Sequence, residues 1–101
     1  MTVPQGEATA RLSHVLTEYT DQEGIGWPAC FAWLRTYRPE RIANVIAEIV
    51  TGKDMGSVYL DPFNKRVLDG HHRLAAWQAL GWMEVDVTYA ERGDVDDHDT
   101  S

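Results

Sequence analysis

The spacing of apolar residues changes in the middle of this sequence, and no single class of secondary structure accommodates both spacings. From residue 84 to residue 89, apolar and polar residues alternate, which is typical of a half-buried strand. Between Pro39 and Gly52 the spacing is instead that of a helix with one buried face, carried by Ile42, Val45, Ile46, Ile49 and Val50. We therefore predict an α/β or α+β fold, in which a small mixed sheet packs with about four helices.

The remaining segments supply the other elements of this fold. Proline suits the first turn of a helix, glycine ends one, and Asp and Asn favour tight turns between strands. With these signals and the apolar spacing, we predict three further helices, at 7–19, from Pro28 to about Tyr37 and at 74–80. We also predict a hairpin, with strands at 57–60 and 65–69 and a turn at 61–64.

The chain is short enough to form a single domain, and we divide it into three parts. Residues 1–38 are predicted to be an N-terminal helical extension, and residues 39–91 to be the core. Residues 92–101 are rich in acidic residues and nearly devoid of apolar ones, so we predict a disordered acidic tail there.

Charge and composition exclude several classes of protein. The sequence has 9 basic and 16 acidic residues, a net charge of -7, so binding to nucleic acid by bulk charge is excluded. Cys30 is the single cysteine, which excludes an intrachain disulfide and a cysteine-rich zinc site. No apolar run reaches the length of about 18 residues typical of a membrane span, and the N-terminus lacks the basic region and apolar core of a secretory signal. We therefore expect a cytoplasmic protein without a membrane partner.

The segment at 66–76 carries the chemistry of this sequence. A strand ends at Asp69, Gly70 permits a sharp turn, and a helix begins with His71, His72 and Arg73. The first N–H groups of a helix have no intrahelical acceptor, and the helix dipole adds positive charge at the same end. Glycine lets a ligand approach the backbone, and arginine can form paired hydrogen bonds with phosphate oxygens. Either histidine could add a cation near neutral pH. The segment predicts a phosphate-binding turn.

Residues 39–89 resemble the ParB/sulfiredoxin-like superfamily. The resemblance rests on the helix from Pro39, the hairpin, the Gly70-x-x-Arg73 turn, Ala76 in the following helix and the strand after Gly81. It identifies the chain as a minimal, single-domain member of the ParB N-terminal-like type and implies that Gly70 and Arg73 bind the phosphates of ATP or CTP, with Mg²⁺. His71 and His72 would complete the same site.

Two departures from the superfamily limit what the resemblance implies. His71 stands where sulfiredoxins have a catalytic cysteine, which argues against sulfinic acid reduction. Partition proteins usually read Gly-Glu-Arg-Arg at the turn, and here His71 and His72 replace the Glu and the middle Arg. The resemblance therefore does not determine the nucleotide or the reaction.

Several residues allow two interpretations. Asp69 is the candidate catalytic residue, as a general base or Mg²⁺ ligand, although a helix cap or a pair with Arg73 is the favoured interpretation. Adjacent histidines seldom bind one ion, so no metal site is predicted. We favour ordinary surface charge over ligand contact for three arginines, which are Arg35, Arg38 and Arg41. We favour core packing over base stacking for the four tryptophans, which are Trp27, Trp33, Trp77 and Trp82.

Three functional hypotheses follow. The first is a domain that binds a nucleotide or another phosphorylated small molecule, with phosphoryl transfer or nucleotide hydrolysis as the reaction if it is an enzyme. The second is a non-enzymatic interaction module of a phage or mobile element that binds a host protein. The third is a DNA-binding ParB-like protein, which the net charge of -7 disfavours for the isolated chain.

Overall fold

A computed structural model describes residues 3–94 and contains a four-stranded mixed sheet. The strands are β1 (Gly6–Arg11), β2 (Val58–Asp61), β3 (Arg66–Asp69) and β4 (Glu84–Tyr89), in the spatial order β1-β4-β2-β3. β4 pairs antiparallel with β1 and parallel with β2, and β2 pairs antiparallel with β3. The first strand of the hairpin thus lies beside a strand that follows the hairpin in sequence, and the connection through a helix makes that pairing parallel.

Four helices accompany the sheet. They are α1 (Leu12–Glu18), α2 (Trp27–Tyr37), α3 (Pro39–Val50) and α4 (His71–Leu80), and α4 packs against both α2 and α3. Val85 and Val87 of β4 are buried while Glu84 and Asp86 are exposed, so one face of this strand faces the core. Side chains of the helices and of that face form a single apolar cluster.

The predicted fold class and most predicted elements are confirmed. Proline is at the start of α2 and of α3, and Gly81 adopts the left-handed conformation that ends α4. The hairpin and β4 lie within a residue or so of the predicted positions. Among the described residues, no helix is both long and apolar enough to cross a membrane.

The first half of the predicted helix at 7–19 is wrong. Residues Gly6–Arg11 form β1, and the helix begins only at Leu12. The backbone of β1 pairs with β4 over six positions, from Gly6 opposite Tyr89 to Arg11 opposite Glu84. The segment 1–38 is therefore not purely helical, because it contributes an edge strand to the sheet. The division of the chain at residue 39 stays a prediction.

The predicted acidic tail lies mostly outside the described residues. A short turn of 3₁₀ helix, Arg92–Asp94, follows β4, and Arg92 packs over the ring of Phe63 with its guanidinium carbon 4.2 Å from the ring centre. The prediction for 95–101 falls outside the part of the chain that the structure describes.

Candidate functional site

Gly70 makes the turn from β3 into α4. Its φ of 114° lies in the left-handed region, and a side chain there would approach the Cγ atoms of Val58 to 3.3 Å. The N–H of Leu74 donates to the carbonyl of Gly70 at 2.9 Å, which closes the first turn of α4. The N–H groups of His71, His72 and Arg73 therefore precede the intrahelical hydrogen bonds, and the positive end of the helix dipole lies beside them.

Arg73 is bound mainly to the protein's own backbone. Its Nη1 donates to the carbonyls of Met55 and Ser57 at 2.8 and 2.9 Å, and its side chain is 17% exposed. These hydrogen bonds tie the segment that enters β2 to the first turn of α4. Arg73 thus has a structural role that the sequence did not predict, in addition to its position at the predicted phosphate turn.

Asp69 forms the pair with Arg73 that sequence analysis favoured. Its Oδ2 lies 3.4 Å from Nη2 of Arg73, and its side chain is 79% exposed. It does not cap α4, because no side chain makes a capping hydrogen bond there. An exposed pair of this kind contributes little to stability, so the carboxylate of Asp69 remains accessible to a ligand at the turn.

The two histidines of the turn have different partners. Nε2 of His71 accepts the backbone N–H of Gln22 at 3.0 Å. Nε2 of His72 is buried and has no hydrogen-bond partner among the described residues. Burial lowers the pKa of both rings, and the charges of Arg41, His71 and Arg38 lower the pKa of His72 further. Both rings are therefore neutral near pH 7, contrary to the expected cationic role.

A loop that sequence analysis did not single out faces these histidines. The carboxylate of Asp21 is fully buried and accepts the N–H groups of Ile25 at 3.1 Å and of Gly26 at 2.8 Å. Burial raises the pKa of Asp21, but its backbone hydrogen bonds outweigh that effect, and the net pKa is lowered. Asp21 remains ionised and gives the loop its shape. The available signal was an Asp shortly before Gly24 and Gly26, which is typical of a side-chain-stabilised turn.

A cavity of about 920 Å³ opens between the loop, the start of α4 and helices α2 and α3. The turn 69–73, Arg41 and residues 21–23 of the loop provide its polar part. Apolar side chains provide much of the rest, and these are Ile25, Cys30, Trp33, Leu34, Val45, Met55 and Leu68. The cavity therefore combines anion-binding groups with an apolar wall, and it contains every predicted site residue from Asp69 to Arg73.

Arg41 and Trp33 lie on this cavity, although neither was favoured for a ligand role. Arg41 is exposed and makes no hydrogen bond or ion pair within the described chain. Trp33 is 47% exposed, and the guanidinium of Arg38 lies 5.6 Å from its ring centre. Arg35 does not line the cavity. The arginines at 35, 38 and 41 thus do not form one surface that lines the cavity.

Core packing holds for two of the four tryptophans. Trp27 and Trp77 are buried, as predicted, and Nε1 of Trp27 donates to the carbonyl of Tyr19 at 2.7 Å. Trp33 and Trp82 are about half exposed, so the prediction that these two fill the core is wrong. Trp82 follows the left-handed Gly81, and its ring centre lies 6.3 Å from that of the buried Trp77.

The cavity offers no ready set of ligands for a resident metal ion. Within residues 3–94, no three His, Cys, Asp or Glu side chains are grouped as a metal site. Both oxygens of Asp21 accept backbone N–H groups, and Asp69 pairs with Arg73. Mg²⁺ binds proteins through one or two carboxylates together with the phosphates of a substrate. The residues fit Mg²⁺ brought by a nucleotide better than a metal held in the absence of ligand.

The fold has a counterpart among solved structures. Neither a protein-family model nor a curated protein matches the sequence. The structure is similar to that of the C2221 form of a Pnob8-like ParB-N domain, with a TM-score of 0.57 and 15% sequence identity, over 88% of this chain and 31% of that one. This chain thus spans about a third of the length of that protein. The chain has the fold of a ParB-N domain, the ParB/sulfiredoxin-like fold that the resemblance predicted.

Proposed function

We propose that this chain binds a nucleotide or another phosphorylated small molecule in the cavity at the start of α4. One juxtaposition carries the proposal. The N–H groups of residues 71–73, which have no intrahelical acceptor, and the unpaired guanidinium of Arg41 belong to residues that line the same cavity. Each of these groups suits an anionic ligand with several oxygen atoms.

The apolar wall supports a nucleotide over inorganic phosphate. Trp33 is about half exposed and lines the cavity, as do Leu34 and Met55. Aromatic side chains stack on nucleobases, and one stacked base contributes about 1–3 kcal/mol. A cavity of about 920 Å³ is large enough for a compact organic ligand. ATP and CTP are the first candidates because of the resemblance to the superfamily.

Charge on the cavity wall makes Mg²⁺ part of the proposal. Three acidic residues (Asp21, Glu23 and Asp69) and two arginines line it, while both histidines are neutral. A polyphosphate would be repelled by this excess of acid unless a cation accompanied it. We therefore expect ATP or CTP to bind with Mg²⁺ and to bind much more weakly in EDTA.

Phosphoryl transfer or nucleotide hydrolysis is the catalytic form of the same proposal. Asp69 is the candidate general base, because its carboxylate is exposed at the phosphate turn. Its variant Asp69→Asn would keep the shape of the side chain and remove the base. Release of phosphate by the parent chain, and its loss in the variant, would support catalysis. Nucleotide binding without release of phosphate would indicate a binding domain that is not an enzyme. A cytoplasmic location, where nucleotides are abundant, belongs to the proposal.

Titration calorimetry with Mg²⁺-CTP and Mg²⁺-ATP tests nucleotide binding. The informative variant is Arg41→Gln, since Arg41 lines the cavity and its exposed side chain makes no hydrogen bond or ion pair within the described residues. Losing a charge-assisted contact should weaken binding by about ten-fold or more. Arg35→Gln is the matched control, because Arg35 is equally exposed but lies off the cavity. Equal affinity in both variants would place the ligand elsewhere, and no heat with either nucleotide would refute the proposal.

Exposed apolar residues favour the second candidate, a non-enzymatic interaction module. They are Val50, at the end of α3, and Leu80, Trp82 and Met83, at and just after the end of α4. Exposed apolar patches are typical of protein-binding surfaces. A host protein that binds equally well with and without nucleotide, and less well after Trp82→Ser, would support this candidate. DNA binding stays the third hypothesis, and it predicts a steep fall in affinity with added salt.

A further inference from the structure

The loop at 21–25 forms one wall of the cavity and is joined to the phosphate turn by one hydrogen bond. Its ends are secured, because Thr20 pairs with the Lys65–Val67 segment and Trp27 begins α2. Between those ends, most hydrogen bonds are internal to the loop and run to Asp21 or to its carbonyl. Among the described residues, the bond from Gln22 N–H to His71 Nε2 is the one that connects residues 21–25 to another element.

This bond fixes the state of the imidazole ring. Nε2 accepts a hydrogen bond from a backbone N–H, so it carries no proton itself, and the proton of the neutral ring is on Nδ1. The ring is held in place by the indole of Trp27, whose centre lies 5.7 Å away. Burial keeps the ring neutral by lowering its pKa, against the opposing charges of Asp21, Asp69 and Glu23.

We propose that His71 is a positioning residue, which holds the loop at 21–25 in place as the wall of the cavity by accepting the N–H of Gln22 on Nε2. His71 is then a partner of the loop and not a ligand of phosphate. Because the same residue begins α4, its ring joins the loop to the turn that presents the anion-binding N–H groups. A loop already ordered before binding costs a ligand less than one that must be ordered by it.

The first test needs neither a ligand nor a variant. In the isotope-labelled chain, a hydrogen bond from N–H to an imidazole nitrogen gives a scalar coupling between the two nitrogen nuclei, here Gln22 N and His71 Nε2. We expect that coupling, together with the ring nitrogen shifts of the Nδ1–H tautomer. A ring protonated on Nε2 at pH 7, with no coupling to Gln22, would overturn the proposal.

Two variants then separate positioning from simple packing. His71→Leu fills the space but has no acceptor, whereas His71→Gln supplies a carbonyl oxygen to the same N–H. One hydrogen bond of this kind changes an equilibrium by about five-fold, so amide exchange of residues 21–25 should accelerate by about that factor in His71→Leu and return toward the parent value in His71→Gln. His14→Leu, on the exposed side of α1, is the control for losing a histidine. Equal exchange in both His71 variants would overturn the proposal.

The link between this loop and ligand affinity rests on the proposed function. With Mg²⁺-CTP as the probe, His71→Leu should bind about five-fold more weakly than His71→Gln, because the loop must be ordered on binding. Failure of the proposed function can be distinguished from failure of the role proposed for His71. Absence of CTP binding to the parent chain would refute the proposed function, whereas the coupling and exchange measurements decide the role of His71 by themselves.

Discussion

Gly70 shows how one backbone conformation positions the candidate site. Its φ of 114° is strained for any residue with a side chain, and an added Cβ would lie 3.3 Å from Val58 and 3.2 Å from Nη2 of Arg73. Gly52 also has a positive φ, 88°, but nothing lies within 4 Å of an added Cβ. Both glycines therefore have a backbone conformation that is strained for other residues, but only at Gly70 would an added side chain also meet neighbouring atoms.

We predict that Gly70→Ala destabilises the chain more than Gly52→Ala does. The conformational strain alone costs about 1–2 kcal/mol, which Gly52→Ala should show. Gly70→Ala adds overpacking against Val58, worth at least about 1 kcal/mol more. The free energy of unfolding in urea measures both variants. Equal losses would mean that the Gly70 turn has more room than the contacts with Val58 indicate.

The pKa of His72 provides a second prediction at the scale of one residue. Burial lowers it most, followed by the charges of Arg41, His71 and Arg38. Removing a positive charge makes the protonated ring less unfavourable, so Arg41→Gln should raise the pKa of His72, and Arg38→Gln should raise it less. Titration of the ring signals by NMR gives the values, with Arg35→Gln as the unaffected control. A pKa unchanged in Arg41→Gln would mean that Arg41 does not face His72.

The lowered pKa values of His71 and His72 also make stability depend on pH. Each ring binds its proton at a higher pH in the unfolded chain, where the ordinary value is 6.5, than in the folded chain. The unfolded state is therefore favoured as pH falls below that value, and stability is complete only above it. We predict that the free energy of unfolding decreases from pH 7 to pH 5.5 and that the double variant His71→Gln, His72→Gln has a weaker dependence. A larger decrease in the double variant would contradict this.

At the scale of elements, the loop between α1 and α2 depends on a buried carboxylate. Both oxygens of Asp21 accept backbone N–H groups, and an asparagine could accept only one of them. Asp21→Asn should therefore cost about 1–3 kcal/mol, since a partly buried N–H would lose its acceptor. Asp54→Asn is the matched control, because the exposed Asp54 accepts only the N–H of Gly56 and asparagine can do the same. Urea unfolding distinguishes the two, and a loss common to both variants would contradict this role for Asp21.

Local sequence predicted the elements whose signals are local. Pro39, Gly81 and the alternation of β4 lie within the elements they define, and those elements were predicted correctly. β1 was missed because its stability comes from pairing with β4, about 80 positions later, and because its side chains are mostly exposed and include no large apolar residue. Ala8 also continues the apolar spacing of α1 backwards, so helical periodicity extended the prediction too far.

The candidate site was predicted only where its residues are consecutive in the sequence. The turn 69–73 is a contiguous signal, and the structure places all five residues on one cavity. Arg41, Trp33 and Asp21 reach that cavity from other elements, and only the packing of α2 and α3 against α4 brings them there. A ligand-binding role for residues of separate elements has no periodicity or spacing by which it can be recognised in one sequence.

At the scale of the whole molecule, the structure bears on whether residues 39–91 could be a self-sufficient core. β1 covers one edge of β4, and α1 and α2 contribute Leu12, Val15, Phe31 and Leu34 to the apolar cluster that also contains Leu74. Burying one such side chain contributes about 1.5–3 kcal/mol, while a domain of this size is stable by about 5–15 kcal/mol in total. Losing the first 38 residues would therefore remove burial worth about as much as the whole stability of the fold.

We predict that a fragment of residues 39–101 does not fold, whereas the full chain unfolds in a single cooperative transition. In the full chain, far-ultraviolet circular dichroism and tryptophan fluorescence should report the same urea midpoint, because Trp27 and Trp77 belong to one core. The fragment keeps α3, α4 and three strands but exposes the edge of β4 that β1 covers and the side of α4 that packs against α2. A fragment with dispersed NMR signals and its own cooperative transition would establish the division at residue 39, and would make 1–38 an addition to a complete core. Two separate transitions in the full chain would support the same division.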